Sequence, residues 1–171
     1  MNNQLISNNT LNNLQINSVL ILTKHRLQID FSIEGALSEY SFPKVRKRER
    51  VNELWKGTCF ELFLGNTQRE AYYELNFSPS LGWNFYYLST YRSKVEIFKL
   101  NNNPVIEIQT SEHVLKISFV LEIEELFLDE FDIYNVATIL LSQENERTFW
   151  SIKHDQNVPN FHNRANFLKI K

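Results

Sequence analysis

Glu61 and Glu74 fall in two neighbouring segments of alternating apolar residues, Phe60-Leu62-Leu64 and Tyr73-Leu75-Phe77. Both share the polar phase of their segments, Glu61 with Cys59 and Glu74 with Asn76. If that phase faces one side of a sheet, two carboxyls and an amide converge on a single surface. Paired carboxyls suit glycoside hydrolysis, where one protonates the leaving oxygen and the other acts as nucleophile or base. The plainer alternative is a pair of exposed or cross-strand-paired acids, the usual fate of strand carboxylates. No strand-end loop motif adds weight to hydrolysis.

A second constellation is aromatic: Trp55, Trp83, Tyr86, Tyr87, Tyr91 and Trp150, with Arg92 beside Tyr91. Rings with a polar edge stack on sugar faces while amides, carboxylates and an arginine take the hydroxyls. Filling a core is the competing use of the same rings. His154 and His162 lie eight apart, which is neither the spacing of a zinc finger nor that of HExxH. A loop could still bring the two imidazoles together for haem or metal ligation. Cys59 is the sole cysteine and reads as a buried, inert thiol. GxSxG, Walker A and GxGxxG motifs are absent, and Ser78-Pro79-Ser80 reads as a strand end and turn.

The elements that would position these groups have a period of two. Leu27, Ile29, Phe31 and Ile33 alternate with polar residues, as do Leu115, Ile117, Phe119 and Leu121. Val105–Ile108 predicts a hairpin partner for the latter across Thr110–His113, and further strands are predicted over 132–142, 148–153 and 167–170. About ten short strands predict an all-β, antiparallel sandwich. One short helix is allowed over 122–131. Pro43 and the run Lys44-Val45-Arg46-Lys47-Arg48-Glu49-Arg50 predict a solvated loop, with anion binding as its functional alternative. The Asn-rich residues 1–17 are expected to be flexible, and residues 18–171 to form one domain.

Composition bounds the rest. The chain of 171 residues is long enough for one domain with its own core. Its 18 basic and 20 acidic residues leave a net charge of −2, so no basic footprint for nucleic acid or anionic membrane stands out. A single Cys excludes a disulfide framework within the chain. No apolar stretch reaches the roughly 20 residues of a membrane span, and Val19-Leu20-Ile21-Leu22 is too short for a signal peptide core. The expectation is a cytoplasmic protein.

Three blocks together carry a resemblance. They are Leu54-Trp55-Lys56-Gly57-Thr58-Cys59-Phe60-Glu61-Leu62-Phe63, Tyr73-Glu74-Leu75-Asn76-Phe77-Ser78-Pro79-Ser80 through Trp83, and Phe149-Trp150-Ser151-Ile152-Lys153-His154 followed by Pro159-Asn160-Phe161-His162. In this order, with Tyr91-Arg92 after the second, they resemble the DOMON-like domains related to family-nine carbohydrate-binding modules, in the stand-alone bacterial branch. The resemblance spans roughly residues 19–168 and implies a jelly-roll-like sandwich with a ligand-binding face. It further implies a ligand bound by aromatic rings and polar side chains, with structural calcium in some relatives and haem held by His and Met in others. The only Met here is Met1, which removes a His/Met pair, and Asp-rich calcium loops are lacking. The expected function is therefore a non-catalytic module for a small polar ligand, a saccharide above all. Its expected site residues are Trp55, Glu61, Glu74, Asn76, Trp83, Tyr91, Arg92, Trp150 and His154. A protein-interaction domain using the aromatic face or the basic loop, and an enzyme using Glu61 and Glu74, are the alternatives.

Overall fold

A computed structural model describes residues 1–8, 13–122, 130–155 and 159–170. Among them are fourteen strands: β1 (Asn2–Ser7), β2 (Leu14–Thr23), β3 (Arg26–Gly35), β4 (Tyr40–Ser41), β5 (Glu49–Arg50), β6 (Cys59–Gly65), β7 (Tyr72–Phe77), β8 (Gly82–Leu88), β9 (Glu96–Ile97), β10 (Val105–Thr110), β11 (Val114–Glu122), β12 (Ile133–Ser142), β13 (Arg147–Ser151) and β14 (Leu168–Lys169). Short 3-10 turns at Leu37–Glu39, Leu54–Lys56 and Arg164–Asn166 interrupt them. The all-β sandwich anticipated from period-two patterning is what forms. The helix considered over 122–131 lies almost wholly outside the described residues.

The strands run in the order β10-β11-β3-β2-β1-β13-β12-β6-β7-β8-β5. Strand β1 joins the two layers: Asn2–Leu5 pair with β2, and Ile6 and Ser7 pair with β13. The expected β10–β11 hairpin forms, with Thr110 opposite Leu115 and Ile108 opposite Ile117. One pairing departs from the antiparallel rule, because β5 runs parallel to β8. Between the layers Phe31 meets Phe60 at 4.8 Å between ring centroids, and Phe77 meets Phe119 at 5.3 Å. These rings close a core in which Leu20, Leu27, Ile29, Leu62 and Val136 have no solvent exposure. Burial of each such side chain is worth about 1.5–3 kcal/mol against leaving it in water.

Two expectations are corrected here. The N-terminal segment is not a loose tail throughout: Asn2–Ser7 is a strand whose Leu5 is buried in the core, while the Met1 ammonium donates to the Leu20 carbonyl at 2.7 Å. Its asparagines hid this, because a strand linking two layers needs only one inward apolar residue per turn of the pleat. The basic run is also not simply solvated. Arg48 donates to the Pro104 carbonyl at 3.0 Å, and Arg50 donates to Asn84 and to the Phe98 carbonyl at 2.8 Å each. The Arg50 guanidinium lies 4.2 Å from the Trp83 ring centroid, which neighbouring charges in the sequence cannot reveal.

Candidate functional site

Strands β6, β7, β8 and β12 are buried on both faces, and the two faces differ in chemistry. Phe60, Leu62, Leu75, Phe77, Trp83, Phe85 and Val136 enter the interlayer core. Opposite them, Phe63, Tyr72, Tyr86, Leu88, Ala137, Ile139 and Phe161 form a second apolar cluster against Trp55, Phe149 and Phe167. Glu61, Glu74 and Asn76 belong to this second face by the alternation of their strands. Register places them together: Glu61 is opposite Asn76, and Glu74 is opposite Tyr86.

Loops make this outer face a site. The turn at Leu54–Lys56 brings Trp55 over β8, where its ring meets Tyr86 edge-on at 6.2 Å. After β8 the chain turns through Arg92, which holds a left-handed backbone (φ 50°) and donates its N–H to the Tyr72 hydroxyl at 3.2 Å. The C-terminal segment closes the third side. Asn135 donates to the Phe161 carbonyl at 2.9 Å, Asn163 and Asn166 both donate to Asp155, and Arg164 donates to the Asn66 carbonyl at 2.6 Å. Asn163 also caps the turn at Arg164–Asn166 by accepting from the Ala165 N–H at 3.1 Å.

These segments enclose an open pocket of about 360 Å³, inside the range of about 300–1,000 Å³ usual for small-molecule sites. Glu61, Glu74 and His162 line it with Arg92 and Arg147, and Trp55, Phe149 and Phe161 supply aromatic walls. The carboxyls are almost fully buried, at 3% and 5% exposure. Burial, and then the charge of Glu74, pushes the Glu61 carboxyl well above its ordinary range. Burial also raises Glu74, to about 7, against the pull of the Asn76 hydrogen bond and the Arg92 charge. Asn76 donates to Glu74 Oε1 at 2.8 Å. Cys59 is fully buried on the same strand face, and burial together with both carboxyls lifts its thiol well above the normal value. It is therefore protonated and inert at neutral pH.

His162 is the centre of a short relay. Its Nδ1 lies 2.8 Å from the Tyr72 hydroxyl, and its Nε2 lies 3.9 Å from Glu74 Oε2. The Tyr72 oxygen accepts from the Arg92 N–H, so its proton is assigned to the bond with Nδ1. That leaves the ring proton on Nε2, facing Glu74. Burial, helped by Arg92, depresses the imidazole to about 4. The close approach of His162 and Glu74 is thus a contact between a neutral ring and a carboxyl, not an ion pair, at pH 7.

Of the residues singled out in the sequence, Trp55, Glu61, Glu74 and Arg92 line one pocket, with Asn76 hydrogen-bonded to Glu74 beneath it. The others lie elsewhere. Trp83 and Trp150 are 2% and 3% exposed in the interlayer core, because the strand phase that turns Glu74 and Asn84 outward turns Trp83 inward. Trp150 is held by an indole N–H bond to Thr148 at 3.0 Å. Tyr91 is 54% exposed, with its hydroxyl accepting from Asn160 at 2.9 Å. His154 faces the Ile6 carbonyl at 3.0 Å, beside β1. Sequence reasoning did not place Arg147, Phe149, Phe161 or His162 at the site, since each arrives from a distant segment. Tyr72 had a local signal, sharing the phase of Glu74 and Asn76, and Phe149, Phe161 and His162 stood in the third block that carries the resemblance.

Among the described residues no group of three or more His, Cys, Asp or Glu side chains is placed to hold a metal ion. The calcium that the resemblance allows has no ligand set there, and no step is derived through it. No helix among the described residues is long and apolar enough to cross a membrane.

No protein-family model matches the sequence, and no curated protein does. Solved structures are similar in fold. Over 98% of its length the chain superposes on 84% of a protein from Bacteroides uniformis described as carbohydrate-binding, with a TM-score of 0.64 and 12% identity. Over 95% of its length it also matches 78% of a carbohydrate binding module family 9 (CBM9) from Caldicellulosiruptor kristjanssonii in complex with glucose, with a TM-score of 0.50 and 9% identity. The pocket occupies the face of β6, β7, β8 and β12 turned away from the other layer.

Proposed function

We propose that the protein is a non-catalytic saccharide-binding module whose ligand occupies the pocket over Glu61 and Glu74. The observation that carries this reading is the union of two kinds of surface in one open pocket. Aromatic walls from Trp55 and Phe149 stand beside buried polar groups that can donate and accept to several hydroxyls. Likeness in fold to a CBM9 module supports the same class of ligand, and the three sequence blocks favour the DOMON-like branch. Fold kinship alone would not carry it, since one fold hosts many functions. The upward shift of both carboxyls suits binding: a protonated acid donates to one sugar oxygen and accepts from another.

A glycan array followed by calorimetry tests the reading. The expected result is saccharide binding that weakens at least about tenfold, roughly 1.4 kcal/mol, in Trp55→Ala and in Glu74→Gln. Absence of binding to any saccharide at millimolar concentration overturns it. Release of reducing ends from a bound oligosaccharide would instead favour glycoside hydrolysis by the Glu61/Glu74 pair.

A further inference from the structure

We propose that the pocket selects an anionic saccharide, a sugar bearing a carboxylate, which Arg92 and Arg147 hold at the mouth. The inference rests on the saccharide reading and adds the ligand's charge to it. Both guanidiniums line the pocket, Arg92 from the turn after β8 and Arg147 from the first residue of β13. Neither has a carboxylate within 4.0 Å among the described residues, and neither guanidinium donates to a carbonyl there, unlike those of Arg48, Arg50 and Arg164. A pocket built only for neutral hydroxyls would gain little from two cations that no carboxylate pairs directly.

Arg92 rests its guanidinium over the exposed Tyr91 ring, 5.8 Å from the centroid. Its left-handed backbone is costly for a non-glycine residue and is held by the hydrogen bond from its N–H to the Tyr72 hydroxyl. Strain of this kind persists where the surroundings over-determine it, and it concentrates at ligand sites. The acidic groups below do not cancel the two cations. Burial biases Glu61 and Glu74 towards their neutral forms, and His162 is neutral, so the pocket is net positive near pH 7. An incoming carboxylate would receive charge-assisted hydrogen bonds from guanidiniums, and the fork geometry of Arg suits a planar carboxylate. The sugar ring would then lie against Trp55.

The experiment is calorimetry of the full chain with D-galacturonic and D-glucuronic acids, their parent sugars galactose and glucose, and methyl galacturonate as an uncharged control. At low ionic strength at least one acid should bind about tenfold or more tightly than its parent sugar, and half-molar salt should shrink that ratio. Arg147→Gln should bring the ratio close to one, and Arg147→Lys should restore part of it. Arg147 is exposed, so neither substitution threatens folding. Parent sugars that bind as tightly as the acids, or a ratio unmoved by both Arg92→Gln and Arg147→Gln, overturn the anionic preference and leave the saccharide reading standing. If no sugar binds, charged or neutral, both readings fall together.

Discussion

The two faces of β6, β7 and β8 are equally buried and chemically opposite. On the inner face Phe60 packs against Phe31 of β3, Phe77 and Trp83 pack against Phe119 of β11, and the Arg50 guanidinium lies over Trp83. On the outer face the same strands carry Glu61, Glu74, Asn76 and Asn84, all no more than 5% exposed. The inner face is covered by another sheet layer, whose backbone polar groups are already paired. The outer face is covered by loops and a C-terminal segment, which bring carbonyls, amides and guanidiniums of their own. Buried polar groups need such partners, since each one left unpaired costs roughly 1–3 kcal/mol. In this protein the buried carboxyls lie on the face that irregular chain covers, where Asn76 donates to Glu74 while its own Oδ1 has no partner among the described residues.

That contrast can be broken first where it is most apolar. Trp83→Ala should destabilise the fold by about 3–5 kcal/mol, read as a shift in the denaturant midpoint without a change in m-value. A loss below about 1 kcal/mol would mean that Trp83 is not a core residue. Next comes the polar staple of the outer face. Asn135 donates to the Phe161 carbonyl and accepts from Ser151 at 3.0 Å, so Asn135→Ala should cost about 1–3 kcal/mol. Amide exchange should rise in residues 161–167 before it rises in β12, and uniform acceleration would contradict a staple role.

The pH dependence sharpens the comparison further. Glu74 titrates near 7 when folded and near 4.5 when unfolded, so its contribution is complete below pH 4.5 and is lost as pH rises through 7. His162 runs the other way: its depressed value, about 4 against 6.5, gives stability above pH 6.5 that is lost as pH falls towards 4. The two slopes oppose each other between pH 4.5 and 6.5, and above 6.5 the carboxyl slope remains, reinforced in direction by Glu61. Chemical denaturation across pH 5 to 8.5 should show stability falling above pH 6.5, by on the order of 1 kcal/mol. Glu74→Gln should flatten that fall, and an unchanged profile would show that Glu74 is not the titrating group. The smallest expected effect belongs to the mouth: Arg147→Gln should change stability by less than about 0.5 kcal/mol, checked by thermal melting.

Much of this fold is legible without coordinates, and the reason is local. Leu27-Ile29-Phe31-Ile33 and Leu115-Ile117-Phe119-Leu121 alternate cleanly because one side of each strand meets the core and the other meets water. The pattern fails on β8, Gly82-Trp83-Asn84-Phe85-Tyr86-Tyr87-Leu88, where both phases are large and buried and the aromatic residues look interchangeable. Tryptophans near polar blocks therefore suggested a binding surface, yet only Trp55 lines it. The basic run misled for a related reason: Arg50 and Trp83 are 33 positions apart in the chain and adjacent across β5 and β8.

By itself the sequence determined the all-β class, the β10–β11 hairpin and the shared phase of Glu61, Glu74 and Asn76, because each follows from period-two alternation along neighbouring segments. Only the tertiary structure decided that Trp83 and Trp150 belong to the core. It alone assembled Trp55, Arg92, Arg147, Phe149, Phe161 and His162 from four separate segments into one pocket around those carboxyls. The protonation of that pocket was decided there too. A pKa answers to burial and to charges brought from a distance in the chain, neither of which is a property of neighbours in sequence.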